Sequence, residues 1–214
     1  MAAQQIAPAV GVHRSAAHAG KRVLDVVGAT LALIIASPIL VLSAAAVLIG
    51  SGPPLVYRRR VVGLGGRPFD AFKLRTMVPD ADARLRQSPD MAAAFQRSFK
   101  LERDPRITRV GGALRRWSLD ELPQLINVLR GEMSLVGPRM ITAEELPKYG
   151  AFAAELVTAK PGVSGLWQVS GRQALDYATR VRLDMEYLAG WSLLGDLWIV
   201  LRTPLAVLTR RGAH

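Results

Sequence analysis

VVGATLALIIASPILVLSAAAVLIG, residues 26–50, holds no ionisable side chain and one Ser37-Pro38 step near its middle. As one straight helix it would reach about 37 Å at ~1.5 Å per residue, enough to cross a hydrocarbon core of about 30 Å. Broken at Pro38, neither half could cross. Proline removes a backbone donor and its ring crowds the carbonyl four residues back, while Ser37 can bond a carbonyl exposed by the bend. Whether this run spans a membrane, dips into one or lies buried under the remaining body decides the fold.

The flanking charges favour the second option. Arg14, Lys21 and Arg22 precede the run, and Arg58, Arg59, Arg60 and Arg67 follow it. The positive-inside rule places both groups on the cytoplasmic side, which one crossing cannot satisfy and a hairpin can. We read residues 21–52 as a re-entrant helix-break-helix, bent at Ser37-Pro38. A signal peptide shares the outline of basic residues, apolar run and small residues Ser43–Ala46. The run, however, exceeds the usual ~7–15-residue apolar region and continues past that point.

Residues 1–20 show no clean periodicity and read as a flexible tail, which leaves residues 53–214 as the body. The 214-residue chain carries 28 Lys plus Arg against 17 Asp plus Glu, a net +11. Such an excess points to nucleic acid, an anionic membrane surface or phosphorylated substrates. The absence of cysteine excludes a disulfide framework and thiol catalysis.

Within the body, Gly63-Leu64-Gly65-Gly66 between β-prone pieces predicts a β-hairpin, and its spacing fits no phosphate-binding glycine motif. Lys73, Arg75 and Thr76 beyond it form a candidate anion cluster. Pro79 to Glu102 reads as one or two amphipathic helices interrupted near Ser88-Pro89.

In DPRITRVGGALRRWSLDELPQ, residues 104–124, Ser118 and Glu121 fit a capping box, which leaves Asp120 unexplained. A helix N-terminus helped by Arg115 and Arg116 would keep Asp120 ionised and able to attack phosphorus, and Glu121 could help hold Mg²⁺. Two Gly/Pro-punctuated loops follow, and their Arg139 and Arg172 are either phosphate forks or structural arginines. Trp167 with Gln168 could meet a nucleobase or belong to the core. Residues 176–188 predict a soluble helix. Residues 191–211 fit a helix lying in the headgroup region, its embedded Asp196 and Arg202 arguing against a crossing; a buried core helix is the other reading.

SLDELPQLINVLRGEMSLVGPR and PGVSGLWQVSGR, with the Ser37-Pro38 break, KLRTM at 73–77 and DPRITRVG from 104, resemble the bacterial sugar transferases, the small monotopic phosphoglycosyl transferases. The resemblance covers residues 21–211, and the closing segments are similar to the galactose- or glucose-phosphate transferases that start exopolysaccharide synthesis. It implies an α+β, mainly helical, monotopic membrane protein with a re-entrant hairpin, a small β-hairpin and interfacial amphipathic helices. It implies transfer of hexose-1-phosphate from a UDP-sugar to undecaprenyl phosphate at the cytoplasmic face of the bacterial inner membrane. Asp120 would be the nucleophile and Glu121 the Mg²⁺ ligand. Arg115, Arg139 and Arg172 would match the family's arginines near the phosphates; beside them, we read Lys73 and Arg75 as further phosphate contacts and Trp167 with Gln168 as a uridine contact. Anionic lipids are implied as a surface partner, a homodimer is one option for assembly, and nucleic acid is not a partner. Two departures, Arg59 where glutamine is common and Met140 where proline is usual, fall at the substrate pocket. A membrane scaffold without catalysis is the alternative reading. A nucleic-acid binder would leave the apolar run unexplained.

Overall fold

The computed structural model describes residues 11–98, 101, 104–171 and 175–209. Its longest element is α1, Gly11–Ser51, which keeps its helical assignment through Pro38. The sequence reading expected two helices and a break; the chain instead stays helical around the proline. One reason is local: Ser37 Oγ donates to the Ile34 carbonyl at 2.8 Å, the acceptor that Pro38 has no N–H to meet. The helix also takes in residues 11–20, assigned above to a tail. His18 stacks on Trp191 at 5.7 Å between ring centroids, which ties that end to the body. The remainder of the expected tail, residues 1–10, lies outside the described residues.

From His18 to Ser51, α1 is long and apolar enough to cross a membrane, and only 11% of its most apolar window is buried. Ile35 and Ile49 are 78% and 88% exposed. A core helix of a soluble protein would be mostly covered, so this helix has another apolar medium to meet.

The apolar run of α1 is bonded to the body at both of its ends. Before it, Arg22 donates to the carbonyls of Val128 and Leu129 at 2.6 and 2.8 Å. Asp25 accepts from the Leu135 N–H at 2.9 Å and the Ser134 hydroxyl at 2.8 Å. At the other end, Arg75 donates to the carbonyls of Ser51 and Pro53 at 2.7 and 2.8 Å, satisfying groups that a helix terminus leaves open.

The predicted hairpin is present as β1, Val56–Val62, and β2, Pro68–Leu74, paired antiparallel from Val56↔Leu74 to Val62↔Pro68. Its turn uses Gly65 and Gly66 at φ of 66° and 76°, where a Cβ would be strained. Alternation gives the hairpin two faces. Tyr57, Arg59, Ala71 and Lys73 share one, and Arg58, Arg60, Asp70 and Phe72 share the other.

The amphipathic region divides where Ser88-Pro89 predicted, into α2, Ala81–Gln87, and α3, Pro89–Ser98. Next comes α4, Arg109–Arg116, capped by Thr108, whose hydroxyl accepts from the Gly111 N–H at 2.9 Å. This first turn is pressed on the end of the hairpin: a Cβ at Gly111 would lie 2.0 Å from the Thr76 carbonyl oxygen, whereas one at Gly112 would meet nothing nearer than 3.9 Å. Gly111→Ala is therefore expected to lower stability by about 2–3 kcal/mol, and Gly112→Ala to be neutral or to gain up to ~1 kcal/mol from helix propensity. Denaturant unfolding of both variants in detergent checks the contrast.

The chain continues through α5, Gln124–Arg130, and β3, Ser134–Val136, then α6, Ala153–Leu156. β4, Gly162–Ser164, pairs parallel with β3 and is followed by α7, Leu166–Ser170. α8, Tyr177–Ala189, follows the predicted soluble helix and is capped by Asp176. The core joins Val61 and Phe69 of the hairpin to Leu125, Val128, Val136 and Ile199.

The last described helix, α9, Leu193–Leu208, buries Asp196 and Ile199 and leaves Leu194, Leu197, Trp198, Leu201, Leu205 and Leu208 exposed. Those positions form one helical stripe turned away from the body. Asp196 is not an interfacial charge as the sequence reading implied. It is 0% exposed and accepts from Lys21 at 2.8 Å, Tyr187 at 2.9 Å and Trp191 at 3.0 Å.

Candidate active site

Asp120 and Glu121 lie in a single 3₁₀ turn, Leu119–Glu121, between α4 and α5. The capping box expected from Ser118 and Glu121 does not form. Ser118 takes the left-handed conformation at φ 55° and makes no side-chain cap. It ends α4, through its N–H to the Arg115 carbonyl at 3.1 Å, and does not begin α5. Pro123, at a helical φ of −61°, is the residue that precedes α5.

Asn127 then fixes α5 to β2. Its side-chain oxygen accepts from the Phe72 N–H at 3.0 Å and its amide donates to the Asp70 carbonyl at 2.9 Å. That register brings Lys73 over the turn, where Nζ meets Glu121 Oε1 at 2.6 Å.

Asp120 is only 6% exposed. Burial pushes its carboxyl up to about 6, Glu121 adds to the rise, and Lys73 and Arg115 oppose it. The expectation of a carboxylate held ionised by a helix N-terminus and two arginines needs correction. The turn is too short to supply a macrodipole, and Arg116 is exposed. Lys73 is the largest favourable charge, with Arg115 behind it. Arg115 is itself oriented by donating from Nε to the Thr76 hydroxyl at 2.7 Å.

Arg75, expected near phosphate, is buried on the carbonyls that end α1 and takes no place in this group. Those carbonyls lie beside apolar side chains of α1 and α4, and one guanidinium satisfies them together.

A second cluster borders the first. Arg139 Nη2 lies 3.2 Å from Glu145, which is 0% exposed, and Arg59 lies 3.9 Å from the same carboxylate. The Arg139 N–H donates to Asp184 at 3.0 Å, and Tyr149 donates to its other oxygen at 2.8 Å. Burial nevertheless pushes the Asp184 carboxyl up to about 7. Burial also holds the Arg59 guanidinium below its ordinary value, with Glu145 and, more weakly, Glu121 acting against the shift. Arg59 thus senses both clusters.

Trp167 belongs to this second group and is 9% exposed, with the Arg139 and Arg180 guanidinium carbons 5.6 and 5.3 Å from its ring centroid. A nucleobase could stack on it only after an arginine moved. The core reading of Trp167 fits better, and Gln168 beside it is half-buried. Arg172 lies outside the described residues. The sequence reading missed Glu145 and Arg180, which carried no local signal. For Asp184 a signal existed, an acid at helical spacing with Val181 and Leu188.

Among the described residues no three His, Asp or Glu side chains gather as a metal site. Mg²⁺ commonly takes only one or two carboxylates and completes its shell with substrate phosphates and water. Glu121, with 38% of its side chain exposed, fits that limited role.

The model of the bacterial sugar transferase family matches residues 16–210. The chain is 43% identical over 198 residues to the exopolysaccharide production protein ExoY of Rhizobium meliloti, covering 91% of this chain and 88% of that one. It is 44% identical to the undecaprenyl-phosphate galactose phosphotransferase of Salmonella typhimurium, covering 91% of this chain and 41% of that longer protein. A further match, at 44% identity, is the UDP-glucose:undecaprenyl-phosphate glucose-1-phosphate transferase of Caulobacter vibrioides, 91% of this chain and 72% of that one.

Proposed function

The chain belongs to the bacterial sugar transferase family, and from that premise we propose that Asp120 carries a hexose-1-phosphate from a UDP-sugar to undecaprenyl phosphate. The observation that carries this reading is the buried Asp120 carboxyl, next in sequence to the Glu121 that Lys73 holds at 2.6 Å and within the electrostatic reach of Lys73 and Arg115. An Asp120 oxygen attacks the phosphorus bonded to the sugar, the anhydride P–O bond breaks, and UMP leaves with the electron pair. An oxygen of undecaprenyl phosphate then attacks the same phosphorus. The acyl phosphate P–O bond breaks, and Asp120 returns as a carboxylate. Lys73 and Arg115 keep Asp120 ionised before attack, and Arg139 would meet phosphate oxygens by exchanging its contact with Glu145 for them. Glu121 would hold Mg²⁺, which neutralises diphosphate charge when bound.

The test is incubation with UDP-glucose or UDP-galactose and Mg²⁺ without lipid acceptor. The enzyme should gain the mass of one hexose phosphate on Asp120 as UMP appears. UMP release that requires the acceptor, with no adduct, overturns the two-step scheme.

Lys73→Met should move the acid limb of the pH–rate profile upward from near pH 6, because removing the cation that most favours the carboxylate raises the Asp120 pKa further. Lys73→Arg should leave that limb near its wild-type position, and initial rates across pH 5–9 compare the two.

The membrane reading has its own support. Arg22 and Ser51, which flank the apolar run of α1, are bonded to one body. A crossing helix would carry part of that polar body through the bilayer, whereas a helix that dips and returns keeps it on the cytoplasmic side. The stripe on α9 would lie in the same headgroup layer. The chain has no cysteine, so single cysteines at Ala19 and Leu64 can be labelled cleanly in inverted and right-side-out vesicles. Both should react from the cytoplasmic side, and opposite-side labelling restores a spanning helix.

A further inference from the structure

On the hairpin face opposite Lys73 and Arg59 lies a cavity of about 370 Å³ whose lining includes Arg58, Arg60, Asp70, Phe72, Arg130 and Glu132. Its two acids are already engaged: Asp70 pairs with Arg60 at 3.1 Å, and Glu132 accepts from Asn127 at 2.7 Å. Arg58 and Arg130 have no ion pair among the described residues. Both guanidiniums are held on one ring, their carbons 5.9 and 4.8 Å from the centroid of Phe72. Two forks fixed on an aromatic face have lost part of their rotamer freedom before any ligand arrives, and guanidinium forks match phosphate oxygens.

We infer that this cleft binds a phosphoryl anion between Arg58 and Arg130, back to back with the catalytic face of the hairpin. Its depth indicates one source. Leu129, the residue before Arg130, gives its carbonyl to Arg22, the last cation before the apolar run, and Val23 is already exposed. The polar layer on each side of the hydrocarbon core is only about 5–8 Å thick, so Arg130 stands at the level of phospholipid headgroups. This choice of source rests on the same-side placement of α1 proposed above; the anion site itself does not. The other source is a free phosphate or phosphorylated solute.

The experiment uses the full chain with two probes: vesicles of phosphatidylcholine with and without phosphatidylglycerol, and inorganic phosphate titrated calorimetrically in detergent. Arg58→Gln with Arg130→Gln should lower the preference for phosphatidylglycerol roughly 30-fold, from the contribution of each arginine near an anionic surface. Arg86→Gln with Arg182→Gln, which removes the same charge from exposed positions elsewhere, should lower it less than about fivefold. Equal losses in the two double variants mean that net charge alone acts, and overturn the site. Phosphate heat that vanishes in the cleft variant while its lipid preference stays at the wild-type level assigns the site to a free phosphate. Wild-type behaviour toward both probes removes it. Turnover of the cleft variant in detergent should match wild type and shows that the hairpin is intact. The cysteine labelling above reports topology separately.

Discussion

Asp120→Asn is expected to reduce hexose-phosphate transfer by at least ~1,000-fold, since the amide is not a nucleophile toward phosphorus and no covalent adduct can form. The same substitution should make the protein more stable. Burial raises the folded-state pKa to about 6, above an unfolded value near 3.9, so the favourable contribution is present only while the acid is protonated. It is complete below the unfolded value and is lost as pH rises through about 6. At pH 7 the ionised Asp120 costs on the order of 2 kcal/mol, which Asn removes. Thermal unfolding without Mg²⁺ should show the variant ahead at pH 7 and level with wild type as the pH approaches 4. A variant that is inactive and less stable at pH 7 would contradict this account of the site.

The second large effect concerns Asp196. Asp196→Ala removes the carboxylate that Lys21, Tyr187 and Trp191 share and leaves the Trp191 N–H without an acceptor, and breaking such a buried pair costs about 3–5 kcal/mol. The lower end applies because Lys21 also lies 3.5 Å from Asp25 and donates to the Val136 carbonyl at 2.9 Å. Asp196→Asn can keep the Trp191 N–H paired through its one carbonyl oxygen while Tyr187 donates to the Val136 carbonyl 3.0 Å away, and should lose about half as much. Replacing the pair together, Lys21→Met with Asp196→Leu, should recover part of the stability lost in Asp196→Ala, because the buried lysine leaves with its partner while Asp25 keeps its bonds from Ser134 and Leu135. Denaturant unfolding in detergent measures all three, with proteolysis of α9 as a local readout.

Asp196 also shows why part of the fold was hidden in the sequence. A lone acid in an apolar helix looks like a boundary marker, and its partner Lys21 comes from the far end of the chain. Elements set by local chemistry were legible: the hairpin through its glycines, the α2–α3 junction through Ser88-Pro89, and α8 through its spacing. Ser118 misled because S-x-x-E is a valid local cap. The chain reversal between α4 and α5 requires a left-handed residue there, and tertiary geometry prevailed. The three-residue parallel strands β3 and β4 are too short to show periodicity. In the candidate site, Asp120, Glu121 and Lys73 were named from their motifs, and the structure joins Lys73 to Glu121. Arg75 was misplaced, since nothing in KLRTM distinguishes a cation for substrate from one for backbone carbonyls.

The clamp made by Arg75 has a mechanical consequence. Arg75 holds the end of α1, and two residues away Lys73 holds Glu121 beside Asp120. With α1 seated in a membrane as proposed above, the height of the Asp120 carboxylate over the lipid would be geared to the depth at which α1 settles. A change in that depth would carry the carboxylate toward or away from the lipid phosphate, so turnover is expected to follow how deeply the helix is seated.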